Sequence, residues 1–216
     1  MKILRLHSPK LATPAFTLIE LLVVISIIAV LASLSIPAVT GVMVNARKAQ
    51  ARNDMAQIAS AIKLYYAEYG RYPIDPALNE TTDVAYGGVD TAKGNQQIVS
   101  ALRYKPIGVT QTTLDSINPR QIKFIEPKVA ESTKGCVNIS SGKWYDPWGT
   151  QYIIFIDSNY EDDIKASLAF SNMPDPSASV GVASVGYYYV KNKTKPADSL
   201  ATARAYDSKT DLLSWQ

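Results

Sequence analysis

Phe16-Thr17-Leu18-Ile19-Glu20-Leu21-Leu22-Val23-Val24-Ile25-Ser26-Ile27-Ile28-Ala29-Val30-Leu31-Ala32-Ser33-Leu34-Ser35-Ile36 is the stretch that decides how this 216-residue chain folds. From Leu18 to Ile36 its only polar residues are Glu20, Ser26, Ser33 and Ser35, and the 26 residues from Leu21 to Ala46 carry no charge. At about 1.5 Å per residue the uncharged run makes a helix of roughly 39 Å, enough to cross a bilayer core of about 30 Å. Pro37 and Gly41 are expected to kink or locally melt that helix. Lys2, Arg5 and Lys10 precede the run, and Arg47, Lys48 and Arg52 follow it, so flanking charge does not set an orientation. The short tail in front and the large domain behind place the N-terminus in the cytoplasm.

Downstream the pattern changes without a turn signal. Ala51, Met55, Ile58, Ile62, Tyr65 and Tyr69 recur at helical spacing, with Arg52, Asp54, Gln57, Ser60, Lys63 and Glu68 between them. This is an amphipathic helix with a narrow apolar stripe. One continuous helix from Phe16 to Tyr69 follows, with Gly70 as its C′ residue and Tyr72-Pro73 forcing an extended exit. The expected fold is α+β: a long N-terminal helix, transmembrane then amphipathic, packed on a small antiparallel sheet. A helix is predicted over 96–104 and strands over 121–126, 151–157 and 180–191. Asp146-Pro147-Trp148-Gly149 reads as a tight turn into an apolar strand covered on both faces. Residues 192–209 read as loop, and Leu212-Leu213-Ser214-Trp215 as an end that docks back on the domain. The divisions are a basic leader at 1–15, a transmembrane or polymerisation half at 16–45, an amphipathic half at 46–69 and a globular head at 70–216.

Composition narrows the chemistry. Lys and Arg number 22 against 19 Asp and Glu, and the three-charge excess sits in residues 1–15. A neutral remainder supplies no electrostatic reason for a nucleic-acid partner. The single histidine, His7, lies in the same tail, and Cys136 is the single cysteine. Histidine-based nucleophile systems, histidine zinc sites, thiolate clusters and intramolecular disulfides are thereby excluded from the chain behind the tail. The expectation is a chain without catalysis.

Glu20 asks for a reason of its own. A carboxylate inside an apolar span costs several kcal/mol unless paired, and no basic residue lies within one turn of it. The expected partner is an amino group on another chain, which would fix the stagger of packed helices.

The stretch Ala15-Phe16-Thr17-Leu18-Ile19-Glu20-Leu21-Leu22-Val23-Val24-Ile25, behind a basic tail, resembles the processing and polymerisation motif of the type IV pilin and type II secretion pseudopilin superfamily. The resemblance implies cleavage between Ala15 and Phe16 by prepilin peptidase, N-methylation of Phe16, and assembly through Glu20 and the helix around Pro37. The family usually has Gly where Ala15 stands. Tyr69-Gly70-Arg71-Tyr72-Pro73, Asp146-Pro147-Trp148-Gly149-Thr150-Gln151-Tyr152 and Asp211-Leu212-Leu213-Ser214-Trp215 are similar to landmarks of the major, G-type pseudopilin. The implied function is a structural subunit of a type II secretion-like pseudopilus that drives protein export. A type IV pilin of an adhesion, motility or DNA-uptake pilus is the alternative, and a membrane-anchored binding domain a more distant one. The implied partners are further copies in a filament, prepilin peptidase, other pseudopilins and the inner-membrane assembly platform. The implied location is the inner (cytoplasmic) membrane, single-pass, with the head periplasmic or extracytoplasmic. Asp211 matches an aspartate with which that subunit type binds calcium. The glycine- and aspartate-rich part of that loop has no counterpart, because Gly186 is followed by Tyr187-Tyr188-Tyr189. A second acidic group, Asp157, Glu161, Asp162 and Asp163, departs from the EF-hand pattern, with Asp162 at the glycine position and Leu168 at the glutamate position. It reads as a solvated hairpin tip.

Overall fold

A computed structural model describes residues 16–75, 83–87, 94–161, 163–164, 173–175, 178–191 and 207–215, with the side chains of 34–38 and 188–190 set apart. The leader and most of the 192–209 loop lie outside the described residues. The chain divides into two compact units, Met1–Val44 and Asn45–Gln216.

Helix α1 runs from Leu18 to Tyr69. Thr17 opens it: the Glu20 N–H donates to Thr17 Oγ1 at 3.3 Å, and Thr17 N–H donates to Glu20 Oε2 at 2.8 Å. This reciprocal pair is a capping box, which satisfies two N–H groups that a helix start otherwise leaves unpaired. Gly70 closes the helix at φ +65°, its N–H bonded to Tyr66 O at 2.8 Å. That left-handed position suits glycine because it has no Cβ to strain. The helical backbone continues across Pro37 and Gly41, which corrects the expected local melting.

In the second unit α1 presents the expected stripe. Ala51, Met55, Ile58, Ala61, Ile62 and Tyr65 are buried, and Tyr69 is half-buried at the edge of the same cluster. Opposite them lies a four-stranded antiparallel sheet in the order β1 (Val84–Tyr86), β5 (Ile153–Ile156), β6 (Val180–Ser184), β7 (Leu212–Leu213). Strand alternation sorts the side chains: Ile154 and Ile156 face the helix cluster, whereas Ile153 and Phe155 join Ile164, Met173, Val185 and Leu213 on the other face. β5 is thus buried on both faces, as its unbroken apolar run implies. The C-terminal Leu212-Leu213 docks as strand β7. Helices α2 (Gln96–Arg103) and α3 (Gln111–Ile117) bring Ile98, Leu102, Leu114 and Ile117 to the same core. A second sheet, β2 (Val129–Ala130), β3 (Cys136–Asn138) and β4 (Trp144–Tyr145), combines a parallel and an antiparallel pairing. Neither this sheet nor α3 was expected from the sequence.

Two expected strands are corrected. Residues 121–126 form no strand, because their backbone bonds elsewhere. Ile122 N–H donates to the buried Asn118 Oδ1 at 3.1 Å, Phe124 N–H donates to Leu102 O at 2.8 Å, and Gln121 sits at φ +58°. The predicted strand over 180–191 stops at Ser184, and Gly186–Lys191 forms helix α4. The Gly186 N–H donates to the Asp146 carboxylate at 3.0 Å instead of to a neighbouring strand, which ends the ladder.

Candidate functional site

The N-terminal part of α1 has a different relation to its own chain. Phe16 and Leu18 are 81% and 82% exposed, and Ile19, Leu21, Leu22, Ile25, Ile28 and Leu31 all remain more than half exposed. Among the described residues, nothing covers any side of the helix between Leu18 and Ser33. Its serines add little polarity to that surface: Ser26 Oγ donates to Val23 O and Ser33 Oγ to Val30 O, both at 2.7 Å. A helix that is apolar all round requires a covering by lipid or by other helices. Among the described residues no helix is long and apolar enough to cross a membrane. The apolar run continues in sequence through positions 34–38, whose side chains lie outside the described residues.

Glu20 is the one charge on this surface. Its Oε2 accepts Thr17 N–H at 2.8 Å and Thr17 Oγ1–H at 2.7 Å, so the carboxylate folds back over the start of the helix. The expectation that its partner must come from another chain is therefore incomplete. A partner stands three residues upstream, and the Thr-x-x-Glu spacing was the signal for it. Among the described residues Oε1 accepts no hydrogen bond, and Phe16, Ile19, Glu20, Val23 and Val24 outline a shallow open groove beside it. Phe16 and Glu20 thus lie on one surface. Ala15 falls outside the described residues, as does the side chain of Pro37, whose backbone is helical.

A second constellation sits in the head, at the turn following β4. Asp146 is fully buried, and five donors converge on it. Oδ1 accepts the N–H groups of Trp148, Gly149 and Thr150 at 3.0, 2.9 and 2.9 Å. Oδ2 accepts Ser184 Oγ–H at 2.8 Å and Gly186 N–H at 3.0 Å. Burial pushes the Asp146 carboxyl up, and the donors pull against it. The Asp146-Pro147-Trp148-Gly149 turn is recognisable in sequence; that its aspartate also ties down the end of β6 is not. Asp54 on α1 accepts the Tyr152 hydroxyl at 2.9 Å, and Tyr65 donates to Ile117 O at 2.5 Å. These bonds fasten the helix to the head.

Asp211 is buried, and its Oδ2 accepts Asp207 N–H at 2.9 Å across a turn. Asp157 is also buried, with its Oδ1 accepting Glu161 N–H at 3.1 Å, while Asp162 lies outside the described residues. No group of three or more His, Cys, Asp or Glu suited to a metal ion occurs among the described residues. Cys136 is buried in β3, its Sγ 3.2 Å from Ser132 O.

The chain is similar to the fimbrial protein EcpC of Eikenella corrodens, with 32% identity over 132 residues that cover 60% of this chain and 78% of that protein. It matches no protein-family profile and no solved structure.

Proposed function

Because the chain belongs to the pilin-like fimbrial protein family, we propose that it is a non-enzymatic structural subunit of a filament, assembled by packing the N-terminal half of α1 against other copies of itself. The observation that carries this reading is the all-round exposure of the apolar surface from Phe16 to Leu31, with a single carboxylate on it. Burying each large side chain contributes about 1.5–3 kcal/mol, so the favoured state covers that surface. Before assembly, residues 16–45 rest in the cytoplasmic membrane with the head outside; cleavage by prepilin peptidase between Ala15 and Phe16 precedes polymerisation. The Phe16 ammonium created by that cut pairs with the Glu20 of a neighbour through Oε1, the oxygen that Thr17 leaves open. Lipid and filament compete for one surface, and the carboxylate sets the register.

Two kinds of filament fit this chemistry. The similarity to a fimbrial protein favours a surface fimbria. A secretion pseudopilus, with its assembly platform and companion pseudopilins as partners, is favoured by the pseudopilin-like Asp146-Pro147-Trp148-Gly149 turn and by a lone Cys136 that cannot close an intramolecular disulfide. Glu20→Ala tests the common mechanism. Losing one member of a buried ion pair costs about 3–5 kcal/mol, a factor of hundreds in subunit addition. Membrane content should stay normal, because the segment becomes more apolar, and sheared filament should disappear. Wild-type filament yield from Glu20→Ala would refute the pairing. Deleting the gene and scoring surface fibres against protein export separates the two filament types.

A further inference from the structure

We propose that a cleft on the head, remote in sequence from the assembly surface and independent of its role, is a binding site for a neutral hexose unit of a glycan. The cleft holds about 210 Å³ and is lined by Lys63, Tyr66, Tyr72, Asp157, Tyr160 and Ser179. Three tyrosine rings build its wall. Tyr66 stacks on Tyr72 at 4.8 Å between centroids, Tyr72 stacks on Tyr160 at 5.5 Å, and Tyr66 lies 6.3 Å from Tyr160. Tyr72 is buried, but Tyr66 and Tyr160 remain 39% and 53% exposed. Burial of a core would not leave two of three aromatic rings in solvent, and Tyr160 is held there at φ +61°, in the left-handed region that a bulky residue rarely adopts. Backbone strain of this kind persists where surrounding structure enforces it and clusters at ligand sites.

The polar atoms of the cleft narrow the ligand class. Among the described residues neither the Lys63 ammonium nor the Tyr66 and Tyr160 hydroxyls has a hydrogen-bond partner, so three donors stand ready at the rim. Asp157 adds a carboxylate already braced by the Glu161 N–H at 3.1 Å. Aromatic faces beside a few fixed polar groups form the usual composition of a small-ligand site. The rings touch one another at 4.8–6.3 Å, which leaves no slot for a planar base to insert between them. A pyranose instead lays its C–H face on an exposed ring and offers its hydroxyls to donors and acceptors at the edge. One cation and one anion line the cleft, and Glu161 and Asp163 follow on the same loop, so the charge balance selects a neutral sugar over an acidic one.

The test is saturation-transfer NMR on the full chain in dodecylphosphocholine micelles, a detergent without a sugar headgroup. The probes are the methyl glycosides of glucose, galactose, mannose and N-acetylglucosamine, with glucuronate as the anionic counterpart. Saturable binding of at least one neutral glycoside is expected, with a Kd of about 1 mM, as suits a ligand of a dozen heavy atoms. Tyr160→Ala should weaken it at least tenfold and Lys63→Gln several-fold, while Lys48→Gln, placed over the Tyr187 ring, should leave it unchanged. If circular dichroism shows that Tyr160→Ala does not fold, the Lys63→Gln result decides, since that exposed side chain has no partner to lose among the described residues. Absence of saturable binding by every neutral probe, tighter binding of glucuronate, or unchanged binding in Lys63→Gln overturns the assignment.

Discussion

Replacing Asp146 should unlock the head, and the cost can be worked from its five hydrogen bonds. In Asp146→Ala the N–H groups of Trp148, Thr150 and Gly186 and the Ser184 hydroxyl, all in buried surroundings, lose their acceptor, whereas the half-buried Gly149 N–H keeps its second bond, to the residue 146 backbone oxygen at 3.1 Å. Each orphaned buried donor costs about 1–3 kcal/mol, and water entering the vacated space recovers part of the total. A net loss of about 4–6 kcal/mol results, at the upper end of what single substitutions do. For a domain of this size that lowers Tm by about 10–20 °C. Asp146→Asn is the sharper probe. Its oxygen can keep the three turn N–H groups, and Ser184 can rotate to accept, but the new amide N–H₂ points at the Gly186 N–H. One orphaned donor remains, for a loss of about 1–3 kcal/mol, or about 3–10 °C. Thermal unfolding of the full chain in detergent, followed by far-ultraviolet circular dichroism, reads both. Equal losses in the two variants, or a drop of less than about 4 °C in Asp146→Ala, would refute the view that the five donors converge on one essential acceptor.

Three further outcomes follow from the same geometry. Gly186→Ala would place a Cβ 2.4 Å from Asp146 Oδ2, so it should destabilise the head by about 1–3 kcal/mol although the position carries no unusual φ; an unchanged Tm would contradict this. Burial raises the Tyr65 hydroxyl to about 12 and pushes Tyr152 up as well, so the folded state keeps protons that the unfolded chain releases near pH 10. Stability is therefore constant in this respect below pH 10 and falls from about pH 10 to about pH 12, and Tyr65→Phe should flatten that limb of a denaturation series. Intact-mass and N-terminal peptide analysis of protein from its native membrane should show a chain beginning at Phe16 with a methylated amine; a start near Ile36 or at Met1 would remove the processing step.

The sequence made the long helix legible through its periodicity and the central strand legible through its composition and bounds. A stripe at spacings of three and four matches one helical geometry, and the Tyr152–Ile156 run reads as a strand through its shortness, its β-branched and aromatic residues and the Pro147 and Gly149 before it. It misled where a polar side chain redirected the backbone. Residues 121–126 have strand-like composition, yet Asn118 captures their N–H and Leu102 supplies the next acceptor, contacts that no local pattern announces. The strand over 180–191 fails at Gly186 because a carboxylate forty residues upstream in sequence takes its N–H. The short strands of the second sheet span two or three residues each, too few to show a period. At the candidate assembly site the opposite holds: Thr17-x-x-Glu20 is a local signal, visible in sequence and obscured by the more distant partner that the apolar surroundings of Glu20 called for.

The two halves of α1 then pose one physical question with two answers. Between Ala51 and Tyr65 the apolar residues occupy a single stripe, and the chain buries all of that stripe against its own sheet and short helices. Between Leu18 and Leu31 the apolar residues occupy every side, and among the described residues nothing covers them. A stripe is the pattern of a helix with one neighbour, and an all-round surface is the pattern of a helix surrounded. Glu20 fits only the second case. Its Oε2 is taken by Thr17, and among the described residues Oε1 accepts no hydrogen bond. A carboxylate needed only to cap the helix could stand on a polar surface at no cost. In the filament proposed above, a carboxylate on so apolar a surface would discriminate between neighbours that bring a matching cation and those that do not.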